Sequence, residues 1–251
     1  MAALSADGRA VAVTGASRGI GSAIVEAMAD AGFGVACLSR KGAGPEDREL
    51  TPDLRARTAD FVCDVEDERS IAGALRDAHA RFGRLDGLVN NAGQHDQGRS
   101  AELASADFAH LMNVNATALF AACREAYPYL KETRGQIVNL GSYYDKLGVR
   151  YHAAYCASKA AVAAIGRCLA VEWARDGIRV TTVAPGFIGT DLNRRHMESE
   201  SFREFITRRI PSGEIGTPEE VGRLVALLYL GDIRFLSGET IYLDGGQGMA
   251  H

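Results

Sequence analysis

Short apolar runs alternate with longer stretches of helical period along the whole chain. Seven runs read as strands: "RAVAVTG", "FGVACLS", "ARTADFVC", "LDGLVNN", "GQIVNLGS", "IRVTTVAPG" and "ETIYLDGG". They are rich in Val, Ile and Leu, as strands covered on both faces should be. Helical patterns fill the intervals: Gly19 to Ala31, Glu68 to Phe82, Ser105 to Leu130, His152 to Arg175, Ser201 to Arg209 and Pro218 to Leu230. Thr217-Pro218-Glu219-Glu220 marks one start plainly, with a capping Thr, a first-turn Pro and acids at the positive end of the dipole. The alternation predicts an α/β chain: a single doubly wound Rossmann-type domain over 1–251, with a seven-stranded, mainly parallel sheet and helices on both faces. The longest interval without a strand, about 187–216, reads as a substrate lid.

Composition narrows the partners. Of 251 residues, 47% are hydrophobic and 24% charged, and the net charge of -4 gives no general attraction for nucleic acid or an anionic membrane. No run is read as the roughly 20 apolar residues that cross a bilayer, and the first residues lack the basic-then-apolar order of a leader. A cytoplasmic protein is expected. Five cysteines without a C-x-x-C pair argue against disulfides and zinc, and the six histidines show no ligand spacing, so no metal is expected.

The chemistry begins at "AVAVTGASRGIGSAIVEAMADAG": a strand, then Gly15, Gly19 and Gly21, then a helix. Glycines at that junction let backbone N–H groups approach a pyrophosphate, with the helix dipole favouring its charge. An NAD site normally carries an acid at the end of the second strand to bind the ribose hydroxyls. Here "LSRK" supplies Ser39, Arg40 and Lys41, and Arg18 stands in the glycine turn. Guanidinium suits a 2′-phosphate, so NADP(H) is the expected cofactor. The bland alternative leaves both arginines as solvated surface charges.

"YCASKAAV" sets Tyr155 four residues before Lys159 in an alanine-rich helical run. A lone Y-x-x-x-K is more often a surface lysine covering a tyrosine. The i, i+4 spacing nonetheless puts an ammonium beside a phenol whose unperturbed pKa is near ~10. At about 4 Å and an effective dielectric of 20, that charge is worth roughly 4 kcal/mol, enough to lower the phenol by about three units. Desolvation offsets part of this. The expectation is an acid or base tuned towards pH 7. "NLGSYYD" around Ser142 is not G-x-S-x-G, which argues against a hydrolase.

With these segments in view, the sequence resembles the classical short-chain dehydrogenase/reductases over nearly its whole length. The motifs run in family order: "TGASRGIG", "CDV", "NNAG", "NVN", "LGS", "YCASK" and "PGFIGT". The resemblance implies a catalytic set of Asn115, Ser142, Tyr155 and Lys159, with Ser142 on the substrate oxygen and Asn115 holding a proton-relay water. It implies cofactor contacts from Gly15, Ser17, Arg18, Gly19, Ile20 and Gly21, and from Ser39 and Arg40. Asp64 and Val65 are expected at the adenine, Asn91, Ala92 and Gly93 along the cofactor, and Pro185, Gly186, Ile188 and Thr190 at the nicotinamide, with Tyr155 and Lys159 touching it also.

Residues following the motifs are expected to face substrate: Gln94, His95 and Asp96, Tyr144 beside Tyr143, and His152 beside Tyr151, with Ser142. The favoured activity is NADPH-dependent reduction of a carbonyl, with a 3-oxoacyl thioester as one candidate, since the C-terminal half looks most like 3-oxoacyl-carrier-protein reductases. Those often carry a basic residue where this chain has Asp176, which stands against an acyl carrier protein as partner. Oxidation of a small alcohol or sugar is the first alternative; a noncatalytic NADP-binding sensor is the second, disfavoured by the intact Ser142, Tyr155 and Lys159 set. The resemblance also implies a homotetramer, through the helices at 105–130 and 152–176 and the C-terminal strand region.

Overall fold

The structure, a computed structural model, describes residue 6 and residues 8–190 and 199–249. Among them seven strands form one sheet: β1 Ala10–Thr14, β2 Gly34–Ser39, β3 Thr58–Val62, β4 Gly87–Asn90, β5 Gln136–Leu140, β6 Arg179–Pro185 and β7 Thr240–Leu243. Their order is β3-β2-β1-β4-β5-β6-β7, and every neighbouring pair is parallel. The chain reverses direction across the sheet between β1 and β4. In an open α/β sheet, ligands bind outside the carboxyl ends of the strands at such a switch point.

The strands sort their side chains onto two cores. Ala12, Ala36, Leu38, Leu88 and Ile137 face one cluster, which takes in α3 (Glu68–Phe82), α5 (Ala118–Thr133) and α6 (Ala153–Glu172). Their neighbours Val11, Val13, Val35, Cys37, Val89 and Val138 face the other, with α1 (Gly19–Asp30) and α8 (Pro218–Leu230). The inner strands β1, β4, β5 and β6 are covered on both faces and buried throughout, which matches their mostly apolar runs, whereas the edge strands β3 and β7 are only partly buried. Thr217 caps α8 as expected, and Glu220 completes a capping box with it, Glu220 N–H on the Thr217 hydroxyl and Thr217 N–H on Glu220.

Three features depart from the sequence reading. A short helix, α2 (Pro52–Ala56), lies between β2 and β3, where none was expected. The helix expected from Ser105 to Leu130 is α4 (Ser105–Met112) and α5 joined by a π-helical segment, Asn113–Thr117. And α6, with 20 residues, is long and apolar enough by length and composition to cross a membrane, contrary to the expectation of no such run. It packs instead on β5, β6 and the π segment, burying Ser158 and Lys159 among its apolar residues. Within the expected lid, α7 (Glu200–Thr207) buries Ile206 and sets Phe202 against Phe187, ring centroids 5.9 Å apart. Arg208 pairs with Glu204, while Arg194 and Arg195 lie outside the described residues.

Close approach of α1 and α8 depends on Gly222, where a Cβ would come 2.6 Å from the Ala23 carbonyl oxygen. Gly222→Val should therefore destabilise the chain by about 1–3 kcal/mol through overpacking. Urea unfolding should show this as a lower midpoint at unchanged slope.

Candidate active site

At the end of β1 the backbone turns through Gly15 (φ +65°), a conformation that disfavours a side chain. A Cβ on Gly21 would overlap the Gly15 carbonyl oxygen and crowd Asn91 Nδ2 at 2.6 Å. The turn is held from β4: Asn91 Nδ2 donates to the carbonyls of Thr14 and Gly15, both at 3.0 Å. The Thr14 hydroxyl accepts from the N–H groups of Asn91 at 3.0 Å and Ala92 at 3.1 Å. These contacts fix a bare backbone cradle at the N-terminus of α1, and the residues fit a dinucleotide phosphate. Gly15, Ser17, Arg18, Gly19, Ile20 and Gly21 would line it. Thr190 stands at its rim, its Cγ2 3.8 Å from the Cβ position of Gly19.

At the end of β2, Arg40 is exposed, but the Ser39 hydroxyl is consumed by its own loop, donating to Ala43 O at 2.7 Å and accepting from Ala43 N–H at 2.9 Å. Cys63 N–H donates to Ser39 O at 2.8 Å, which brings Asp64 and Val65 beside that strand end. Asp64 Oδ1 accepts from Glu66 N–H at 3.1 Å, an Asx turn that shapes the loop. At the end of β6, Gly186 N–H donates to Leu243 O at 2.9 Å and Ile188 bridges to Gly216, carrying the Pro185–Thr190 segment across the crevice.

Tyr155 and Lys159 occupy one face of α6's first turns. Ser142 caps the 3₁₀ turn Tyr143–Lys146, accepting from Tyr144 N–H at 3.2 Å, and its hydroxyl acts directly on the Tyr155 phenol. Lys159 is buried and donates to Leu140 O at 2.9 Å, with Nζ 5.8 Å from the centroid of the Tyr155 ring. Asn115, also buried, sits in the π segment. Its amide pairs with the backbone of Gln94, accepting from N–H at 2.8 Å and donating to O at 2.9 Å, and donates to Ser158 Oγ at 3.0 Å.

The ionisation of the pair differs from the expected one. Burial pushes the Tyr155 phenol up to about 12, against a lowering contribution from Ser142. Burial pushes the Lys159 ammonium down to about 8. Helical spacing alone does not bring the phenol near neutrality in this chain. The physical reason is that both groups lose water, and Lys159 directs its charge at the Leu140 carbonyl.

Around the phenol stand aromatic rings. His95 meets Tyr155 edge-on, centroids 4.7 Å apart, and lies 5.0 Å from His152. Tyr144 lies 5.4 Å from His152 and 5.9 Å from Tyr155. Desolvation among these rings, with the charges of His152 and Lys159, lowers His95. Gln94 is exposed and contributes its backbone to Asn115. Two residues that sequence reasoning left without a role complete the site. Thr14 buttresses the glycine turn, and Ser158, which donates to Tyr155 O at 2.8 Å, ties Asn115 to α6. A serine within an alanine run was the available signal for the second.

A glycine cradle at the switch point, with a serine, tyrosine and lysine gathered beside it, defines a nicotinamide-dependent oxidoreductase. The sequence matches the family model described as enoyl-(acyl carrier protein) reductase over residues 15–247. It is 32% identical to a D-threitol dehydrogenase of Mycolicibacterium smegmatis over 243 residues, 96% of this chain and 93% of that one. It is 32% identical to the 3-oxoacyl-[acyl-carrier-protein] reductase of Escherichia coli over 246 residues, 97% and 98% of the two chains. A solved structure of a provisionally assigned gluconate dehydrogenase of Agrobacterium tumefaciens superposes with a TM-score of 0.87 at 28% identity, covering 99% of each chain. The chain belongs to the short-chain dehydrogenase/reductase family. It is an enzyme of hydride transfer between a nicotinamide dinucleotide and a carbonyl or alcohol.

Because Lys159 drops from 10.5 to about 8 on folding, the unfolded chain binds more protons between those values. Its contribution to stability is fully present above about pH 10.5 and is lost as pH falls through about 8. The stability difference between the wild type and Lys159→Met should therefore shift in favour of the wild type as pH rises across that window, by at most ~1.4 kcal/mol per pH unit. Urea unfolding of both proteins from pH 7.5 to 10.5 measures it; a flat difference contradicts the assigned shift.

Proposed function

We propose that this chain is an NADPH-dependent reductase of a small polar carbonyl, with Ser142, Tyr155, Lys159 and Asn115 as its working set. The observation carrying the reading is the gathering of Ser142, Tyr155 and Lys159 in one crevice beside the glycine cradle, with burial pushing the Tyr155 phenol up to about 12. Such a phenol is fully protonated at neutral pH, which is the form that reduction consumes. The bound dinucleotide supplies the hydride. Ser142 donates a hydrogen bond to the carbonyl oxygen, and Tyr155 gives its proton to that oxygen as negative charge grows there. The product alkoxide is far more basic than phenolate, so an acid this weak still transfers downhill. Lys159 then favours the phenolate left behind, and Asn115 holds the first turn of α6 in place through Ser158.

NADP over NAD rests on Arg40 at the end of β2 and Arg18 in the glycine turn, with no carboxylate at the strand end itself. The Ser39 hydroxyl contributes little, being bonded within its loop. The cage of His95, Tyr144, His152 and Tyr155 supports a hydroxylated substrate over a long acyl chain. Asp176, where the resembled reductases often carry a basic residue, is tied to Lys131 at 2.9 Å and to the Tyr127 hydroxyl at 2.7 Å, and so offers no free cation to an acyl carrier protein. A second reading, oxidation of a small polyol or sugar, is supported by the same cage and by relatives described as D-threitol dehydrogenase and L-fucose dehydrogenase. Exposed Phe108 and Phe120 on α4 and α5, and Val171 on α6, support a homotetramer. Five free cysteines support a reducing, cytoplasmic compartment.

Tyr155→Phe should lower kcat by about 10²–10⁴-fold, the range for a positioned acid, with the dinucleotide Kd unchanged. A panel of ketones, 3-oxoacyl thioesters and sugars followed by NADPH absorbance tests the substrate class. Arg40→Asp should reverse the preference between NADPH and NADH; an intact preference removes Arg40 as the phosphate clamp. Light scattering should give the mass of four chains, and a monomer contradicts the assembly.

A further inference from the structure

The helix that carries the glycine cradle has no cap of its own. Arg18 at its N-cap makes no side-chain capping bond, and its first turn holds no acid. The free donors there are met from elsewhere: Gly19 N–H donates to Asp47 Oδ2 at 2.7 Å, across 28 residues of sequence. The preceding residue docks too, with Glu46 N–H donating to Ser17 O at 2.7 Å.

Asp47 belongs to a strap between β2 and α2 that is tied down at both ends. At one end are the reciprocal Ser39 and Ala43 bonds. At the other, Arg48 donates to Ser22 Oγ at 2.9 Å, Glu26 at 2.9 Å and Glu219 at 2.6 Å, joining the strap to α1 and α8. Between them lie Gly42, with φ +62°, Gly44 and Pro45. The strap itself forms most of the wall of an open groove of about 430 Å³, closed on its other side by Arg55 and Asp60.

We infer that the segment 42–48 is an autoinhibitory strap, in which Asp47 takes the helix N-terminus that a dinucleotide phosphate requires, so that cofactor binding displaces it. The physical ground is that one N–H group cannot serve two anions, and two like charges at one helix end repel. Arg48 sets how firmly the strap is latched, since its three acceptors lie on α1 and α8 rather than on the strap itself. The inference rests on the family's use of a nicotinamide dinucleotide, and is independent of the choice between NADP and NAD.

The test uses calorimetric titration of the full chain with NADPH and separately with NADH, together with hydrogen exchange over residues 42–48. Asp47→Asn should bind both dinucleotides about fivefold tighter, the upper end of the usual range for an exposed carboxylate at a helix N-terminus. Arg48→Gln should act in the same direction. Exchange over the strap should rise when NADPH binds the wild type, and should already be raised in Asp47→Ala, which removes the acceptor, without any dinucleotide. Unchanged or weaker binding by Asp47→Asn overturns the strap, as does a fall in exchange on binding, which would make the segment a clasp over the cofactor. Loss of the NADPH preference alone would sink the NADP assignment and leave the strap standing. Should neither dinucleotide bind, the exchange comparison without ligand still decides the latch: equal rates in wild type and Asp47→Ala overturn it.

Discussion

One buried amide, Asn115, joins three stretches of chain that are far apart in sequence. It pairs with the Gln94 backbone as a neighbouring strand would, and its remaining donor goes to Ser158 on α6. That geometry places the loop after β4, the π segment and the first turns of α6 around one point. A buried amide left without partners costs about 1–3 kcal/mol for each lost group, so the three segments hold one another in register. The π segment is the local consequence: one extra residue in the turn lets Asn115 reach Gln94 without breaking the long helix. Gly93 lies against the same point, where a Cβ would come 3.0 Å from Asn115 Oδ1 and 3.8 Å from Lys159 Nζ.

Burial and charge oppose each other at the centre of this arrangement. Packing Tyr155 and Lys159 into the crevice sets them near each other, yet withdraws water from both charged forms. The phenol becomes a weaker acid and the amine a weaker base than either would be in solvent. The reduction proposed above would be served by this, because a phenol acting as its acid would hold the proton securely until an alkoxide formed. Coulomb attraction between neighbours on a helix is real, but here it is smaller than the desolvation that accompanies it.

The cofactor end obeys a different economy, in which backbone matters more than side chains. Thr14 and Asn91 serve the shape of the glycine turn, and the turn's own donors are left to whatever anion arrives. Asp47 is the anion that the chain itself supplies. The two ends of the crevice thus share a logic: polar groups are placed before their reactants, and the fold satisfies them with its own atoms in the meantime.

Much of this was legible from the residues alone. Continuous apolar runs between helical stretches could only be strands covered on both faces, and glycines between strand and helix marked the cradle, because these patterns are set by short-range backbone geometry. The i, i+4 spacing of Tyr155 and Lys159 was likewise a local fact. Contacts between distant segments were not legible: the Asp47 bond to Gly19 spans 28 residues, and the ties of Asn115 to Gln94 and Ser158 span 21 and 43. Nor was the ionisation of the pair, since spacing reports which groups are neighbours, whereas pKa depends on how much water remains around them. The sequence determined the sheet, the cradle and the candidate chemistry; the tertiary structure alone decided solvation and long-range pairing, because both arise only when separate segments pack together.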